Sequence, residues 1–149
     1  MVGKSYSERQ GLNQQSEKRN VVAIFQARMG SNRLPGKTMA EIQRKPLLEH
    51  IIDRVRRAKL IDSIVVATSS NPKDKVIIEL AKRKGIPYYT GSEEDVLDRF
   101  YQAARVYQAN TIVRITADDP FKDPEVIDKV IACYLGFKGN IDYVSNTIR

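Results

Sequence analysis

Short apolar runs alternate with stretches of helical periodicity from Val21 almost to the last residue, and this alternation is the strongest restriction on the fold. Val21 to Gln26, Ile64 to Ala67, Ile86 to Tyr89, Thr111 to Ile115 and Ile141 to Val144 read as strands. Between them, Leu47, Leu48, Ile51, Ile52 and Val55 recur at helical spacing after Pro46, which suits the first position of a helix. Val76, Ile77, Leu80 and Ala81 do the same after Pro72, with Gly85 as the stop. Val96, Leu97, Phe100, Tyr101 and Ala104 follow a capping box opened by Ser92 and completed by Asp95. A last helix opens at Asp123 and Pro124 and turns Val126, Ile127, Val130, Ile131 and Tyr134 inward. Apolar strands separated by helices predict an α/β fold, a three-layer α/β/α Rossmann-like arrangement around a mostly parallel sheet.

At 149 residues the chain has room for one such domain, expected over 21–149. Residues 1–20 are polar and predict a mobile tail. No apolar run approaches the roughly 18 residues of a membrane helix, and the N-terminal segment lacks the apolar core of a secretory signal, so no membrane span and a cytoplasmic location are expected. Cys133 is the single cysteine; it falls in an apolar helical pattern and is expected in the core. His50 is also alone, which removes a zinc-type site and places it on a helix surface or at the edge of the core. The net charge of +7 favours an anionic partner such as a nucleoside triphosphate or an acidic sugar. Arg54, Arg56, Arg57 and Lys59, and separately Lys82, Arg83 and Lys84, read as solvated helix faces. With no nucleic-acid signature beside them, nucleic acid is not expected as a partner.

The chemistry points to the stretch Gln26-Ala27-Arg28-Met29-Gly30-Ser31-Asn32-Arg33-Leu34-Pro35-Gly36-Lys37, directly after the first strand. Its glycines and proline exclude both helix and strand. Gly30 and Gly36 permit sharp turns and close approach to an anion, Ser31 offers a hydroxyl, and Arg28, Arg33 and Lys37 supply charge. A solvated basic turn is the plain alternative, but open α/β sheets bind ligands at the carboxyl ends of their strands. This is not a standard P-loop: five residues separate Gly30 from Gly36, and the next helix starts only near Pro46. Two further loops leave the same sheet edge, Thr68-Ser69-Ser70-Asn71 and Thr116-Ala117-Asp118-Asp119-Pro120. Asp118 or Asp119 either caps its turn or offers a carboxylate to Mg²⁺ on a triphosphate.

The twelve-residue string resembles the signature loop of nucleotidyltransferases that make nucleotide sugars, and within them the cytidylyltransferases. That group includes acylneuraminate and 3-deoxy-manno-octulosonate cytidylyltransferases and the SpsF-like proteins of spore-coat polysaccharide synthesis. The stretch around Asp118-Asp119-Pro120 resembles the family's metal-binding strand end, and Gly91 to Phe100 resembles the SpsF-like members. The resemblance implies a nucleotide-diphospho-sugar transferase fold and CTP-dependent transfer of CMP to an acidic or related sugar for surface polysaccharide, with pyrophosphate released. It implies catalytic roles for Arg28 and Lys37, nucleotide contacts from Ala27, Gly30, Ser31, Arg33 and Gly36, Thr68 near the base, and Mg²⁺ on Asp118. Asp98 and Arg99 are implied to lie where the nucleotide is closed over; helix-surface ion pairing is the alternative for both. Family members are usually longer and dimeric, so the resemblance covers the nucleotide-binding half. A non-catalytic nucleotide-binding module, or one half of an enzyme completed by another chain, stays open beside the enzyme, with a P-loop-like NTPase less favoured.

Overall fold

The computed structural model describes residues 19–31, 33–137 and 141–147, so most of the expected tail lies outside the described residues. Four parallel strands form the sheet: β1 (Val21–Gln26), β4 (Ser63–Ser69), β5 (Tyr88–Gly91) and β6 (Thr111–Thr116), in the order β5-β4-β1-β6. Between β1 and β4 lies a small antiparallel hairpin of β2 (Glu41–Ile42) and β3 (Lys45–Pro46). The helices are α1 (Leu47–Val55), α2 (Lys75–Arg83), α3 (Val96–Val106) and α4 (Pro124–Gly136). No helix among the described residues is long and apolar enough to cross a membrane.

Side chains of β1 alternate between two cores, as the pleat requires. Ala23 and Phe25 pack with the α1 stripe and with Ile77, Leu80 and Ala81 of α2, while Val22 and Ile24 meet Phe100, Ala103 and Ala104 of α3. The chain moves outward from β1 to β4 and β5 with α1 and α2 on one face, then crosses back with α3 on the other to place β6 beside β1. The order of travel therefore reverses between β1 and β6, and at such a switch point the departing loops leave a crevice. Gln26 stands in register with Ala67 on one side and Thr116 on the other, so the loops after β1 and β6 depart at the same level, while β4 runs two residues further, to Ser69.

Several local expectations are corrected. Pro46 is the extended residue before α1 rather than its first helical residue. Pro72 opens a 3-10 turn, Pro72–Asp74, that runs on into α2, and Val76 on that helix is exposed. The third strand slides from Ile86–Tyr89 to Tyr88–Gly91: Ile86 seals the core below the helix end, and the Pro87 carbonyl accepts from Val66 N–H at 3.0 Å. The cap of α3 is Asp95, whose carboxylate accepts from Asp98 N–H at 2.8 Å, while Ser92 only closes the preceding turn onto Asp95 N–H. Leu97 is 80% exposed and Tyr101 also faces out, because the buried stripe runs through Arg99, Phe100, Ala103 and Ala104. Cys133 is exposed: two residues from the buried Ile131, it lies on the outer side of α4. Residues 141–147 form no strand; they run beside β6 and α4 without entering the ladder, and Tyr143 is exposed.

The β2–β3 turn holds Gln43 and Arg44 at φ 50° and 63°. Two positive φ values suit the right-handed twist of a two-residue hairpin, yet neither residue is the glycine that conformation favours. Arg44→Gly is expected to raise the unfolding free energy by about 0.5–1 kcal/mol, after allowance for the greater freedom of glycine in the unfolded chain. Denaturant unfolding checks this, and an unchanged or lower midpoint would contradict the assignment of strain.

Candidate nucleotide site

The loop after β1 closes on one carbonyl. Met29 C=O accepts from Ser31 N–H and from Gly36 N–H, both at 2.9 Å, which draws the two ends of the Gly30–Gly36 segment together. Gly36 sits at φ +74°, where a side chain would be strained. Gly30 is hemmed in differently, since a Cβ there would stand 3.0 Å from Glu93 Oε1. Lys37 N–H donates to Leu34 C=O at 3.3 Å and opens the short 3-10 turn Lys37–Met39. The amides of Ser31, Gly36 and Lys37 are thus spent inside the loop, and side-chain cations rather than those amides are left to meet an anion. Thr38 is buried and its hydroxyl donates to Arg28 C=O at 3.3 Å, while Ala27 N–H extends the sheet ladder to Ala67 C=O.

At the β1/β6 switch point lies a cavity of about 340 Å³ whose wall includes Gln26, Arg28, Ser31, Arg33 and Lys37 from the first loop and Arg114, Thr116 and Asp118 from β6 and its exit. Four cations face one carboxylate across it. Lys37 Nζ is 3.4 Å from Asp118 Oδ2, so residues 81 positions apart meet at this edge. The Thr116 hydroxyl, with the positive charges of Lys37 and Lys122, holds the Asp118 carboxyl below its ordinary value of 3.8 against some burial. Asp119 turns away: it accepts from Phe121 N–H at 2.9 Å and Lys122 Nζ at 3.1 Å, and these bonds lower its own pKa. Of the two carboxylates, Asp119 caps the turn and Asp118 looks into the cavity.

Thr68, Asp98 and Arg99 do not line it. Thr68 is fully buried and donates to Asp74 at 3.1 Å, and Asp98 accepts from Gln102 Nε2 at 3.0 Å one helical turn along α3. Arg99 is 0% exposed, which is not a surface ion pair. Its Nη1 donates to the carbonyls of Ser92 and Glu93, while Nε and Nη2 have no hydrogen-bond partner among the described residues. Arg28 Nη1 reaches the same Glu93 carbonyl at 3.4 Å. Burial and the nearby Arg28 charge lower the Arg99 pKa, and Asp74 and Glu93 oppose that shift.

Of the other lining residues, Thr38 and Arg114 lie outside the stretches that the sequence singles out, and Gln26, Thr116 and Ala117 lie inside them without an expected role. Arg114 is the visible signal, a charge inside an otherwise apolar strand; it donates to Gln26 Oε1 at 3.3 Å and lies 5.7 Å from the Phe100 ring centre. A second, larger groove of about 480 Å³ runs between β6, α4 and residues 142–146. It shares Arg114 with the first cavity but does not gather the loop cations, so the smaller cavity is the candidate site.

Fold and cavity together define a Rossmann-like α/β domain with a cationic crevice at its switch point. Residues 22–147 match the cytidylyltransferase family, and the chain belongs to that family. It is 42% identical over 125 residues to an uncharacterized protein of Methanocaldococcus jannaschii, covering 84% of this chain and 51% of that one. It is 35% identical over 131 residues to the spore coat polysaccharide biosynthesis protein SpsF of Bacillus subtilis, covering 85% and 55%. Among solved structures, a cytidylyltransferase from Leptospira borgpetersenii superposes with a TM-score of 0.79 at 33% identity, over 83% of this chain and 52% of that one. The chain spans about half the length of the relatives it matches.

Because the Asp118 pKa is depressed, any stability it contributes is in place above its ordinary 3.8 and is lost as the pH falls through the lower folded value. Carbon-detected NMR should find its midpoint below 3.8, moving upward in Thr116→Val and in Lys37→Ala. A midpoint that neither substitution moves would contradict the geometry drawn for this corner.

Proposed function

We propose that this cavity binds the triphosphate of CTP and that the chain is the nucleotide-binding part of an enzyme that transfers CMP to an acidic or related sugar, for surface polysaccharide. The observation that carries the reading is the meeting of Lys37 and Asp118 over a pocket lined by Arg28, Arg33 and Arg114. Family membership supports cytidine as the base, and the SpsF relative supports polysaccharide synthesis as the setting.

Among the described residues no three His, Cys, Asp or Glu side chains gather as a metal site. Asp118 alone still fits Mg²⁺, which takes one or two carboxylates and draws its remaining ligands from phosphate oxygens and water. A bound Mg²⁺ would supply neutralisation of phosphate charge beside Asp118. The chain's own residues do the rest by placement. Arg28 and Lys37 bind the phosphate oxygens and stabilise charge that builds on them as a sugar hydroxyl forms its bond to the α-phosphorus and the bond to the pyrophosphate oxygen breaks. Arg33 and Ser31, toward the outer part of the loop, add contacts to the departing phosphates. Thr68 and Arg99 act from behind the cavity wall, through the segments they hold. The second reading is a nucleotide-binding module without turnover, or one half of an enzyme completed by another chain.

Calorimetry with CTP and Mg²⁺, joined to pyrophosphate release over a panel of acidic sugars, separates these readings. Binding with release is the expected result, and binding without release supports the module. In an active preparation Lys37→Ala is expected to lower turnover by about 10²-fold or more. Full pyrophosphate release by that variant would remove Lys37 from the mechanism, and absence of CTP binding by the parent chain would remove the proposal.

A further inference from the structure

Asp74 closes the 3-10 turn before α2, is 1% exposed and does not line the cavity. Its carboxylate nevertheless collects four hydrogen bonds, one from the loop after β1 and three from the end of β4. Oδ1 accepts from Met29 N–H at 2.7 Å; Oδ2 accepts from Thr68 Oγ1 and Ser69 N–H at 3.1 Å and from Ser69 Oγ at 2.5 Å. We propose that Asp74 is a positioning residue for the nucleotide site, fixing the peptide between Arg28 and Met29 and thereby the direction in which Arg28 and the Gly30–Gly36 loop face the cavity.

That peptide is held at both ends, its carbonyl by the Thr38 hydroxyl and its N–H by Asp74. The next carbonyl, that of Met29, is the one on which the loop closes. A displaced Met29 therefore displaces the whole ring of the loop, whereas the β4 exit is independently kept in place by the sheet. The carboxylate also serves at longer range. Arg99 is buried beside Arg28 with no anionic side chain bonded to it among the described residues, and the negative charges that favour its charged form are those of Asp74 and Glu93. Asp74 thus does two things for Arg28: it sets its backbone and offsets the like charge of its neighbour.

An amide cannot replace this group. Met29 N–H and Ser69 N–H point at different oxygens of Asp74, both are fixed donors, and asparagine has only one acceptor oxygen. Asp74→Asn must leave one of them facing its NH₂ group.

This inference rests on the reading of the cavity as a triphosphate site, and its test uses the ratio of CTP to CMP affinity in the presence of Mg²⁺. A loop misplacement weakens the contacts to the outer phosphates, so the ratio is expected to shrink about 10-fold in Asp74→Asn, the size of effect for one charge-assisted hydrogen bond. A merely structural role would lower the melting temperature and leave the ratio alone. An unchanged ratio in a folded Asp74→Asn overturns the inference. If that variant does not fold, Ser69→Ala removes the hydroxyl that fixes Oδ2, along with the acceptor of Asn71 N–H, and frees the carboxylate that holds Met29 N–H to turn; the ratio is then expected to fall about 3-fold, and an unchanged ratio overturns the inference equally. A parent chain with no preference for CTP over CMP is a separate outcome, which overturns the triphosphate reading and this one with it.

Discussion

β1 is hydrogen-bonded on both sides, to β4 and to β6, and everything at the site depends on that central placement. With β1 and β6 parallel and in register, their carboxyl ends stop at one level, and the loops that follow have nowhere to go but the same edge, beside the slightly longer β4. The reversal in the order of travel across the sheet between β1 and β6 keeps a helix from filling the gap. A crevice is the geometric remainder, and the residues that happen to follow Gln26 and Thr116 become its walls. Lys37 and Asp118 meet there because both lie a short distance past the ends of neighbouring strands, and the 3.4 Å contact between them joins the two walls.

Charge is the second constraint. Arg28, Arg33, Lys37 and Arg114 are gathered around a small volume, with Arg99 buried just behind Arg28. Like charges at this density oppose folding unless neutral acceptors and a few carboxylates offset them. The structure supplies both: the Glu93 carbonyl accepts from Arg28 and from Arg99, Gln26 accepts from Arg114, and Asp118 and Asp74 provide negative charge on either side of the loop. An anion in the crevice would relieve the remaining repulsion, which on the proposed reading ties nucleotide affinity to the same arrangement that costs the protein stability. Glu93 contributes through its backbone as well as its side chain: its carboxylate accepts from Asn71 Nδ2 at 2.8 Å and lies against Gly30, so the turn after β5 is stitched to both neighbouring loops.

Much of this was legible in the residues. The strand and helix alternation gave the layers, the five α1 residues of the predicted stripe are all buried, and the glycine loop lay where a parallel sheet puts its ligand. Residue pattern alone left Asp118 and Asp119 open, because the choice turns on which carboxylate reaches Phe121 N–H in a tight turn; the family resemblance alone pointed to Asp118. The inward face of α3 was misjudged for a clear reason. Arg99 is charged, so hydrophobic pattern alone rejects the stripe that contains it and promotes Leu97 and Tyr101 in its place. Asp74 was hidden for the opposite reason: an acidic residue just after Asn71 and Pro72 looks like an ordinary helix start, and its four hydrogen bonds include one to a residue 45 positions away. Cys133 illustrates the limit of composition, since an apolar helix with one face on a sheet still carries small apolar residues on the other.

On the proposed reading, the edge shared by β1 and β6 holds a triphosphate between a cationic loop and one carboxylate. A crystal structure of the chain with CTP and Mg²⁺ tests it most directly. The account predicts phosphate oxygens within about 3 Å of Lys37 Nζ and the Arg28 guanidinium, with the metal beside Asp118. Triphosphate density seated instead in the groove between β6 and α4, with Lys37 still paired to Asp118, would contradict it.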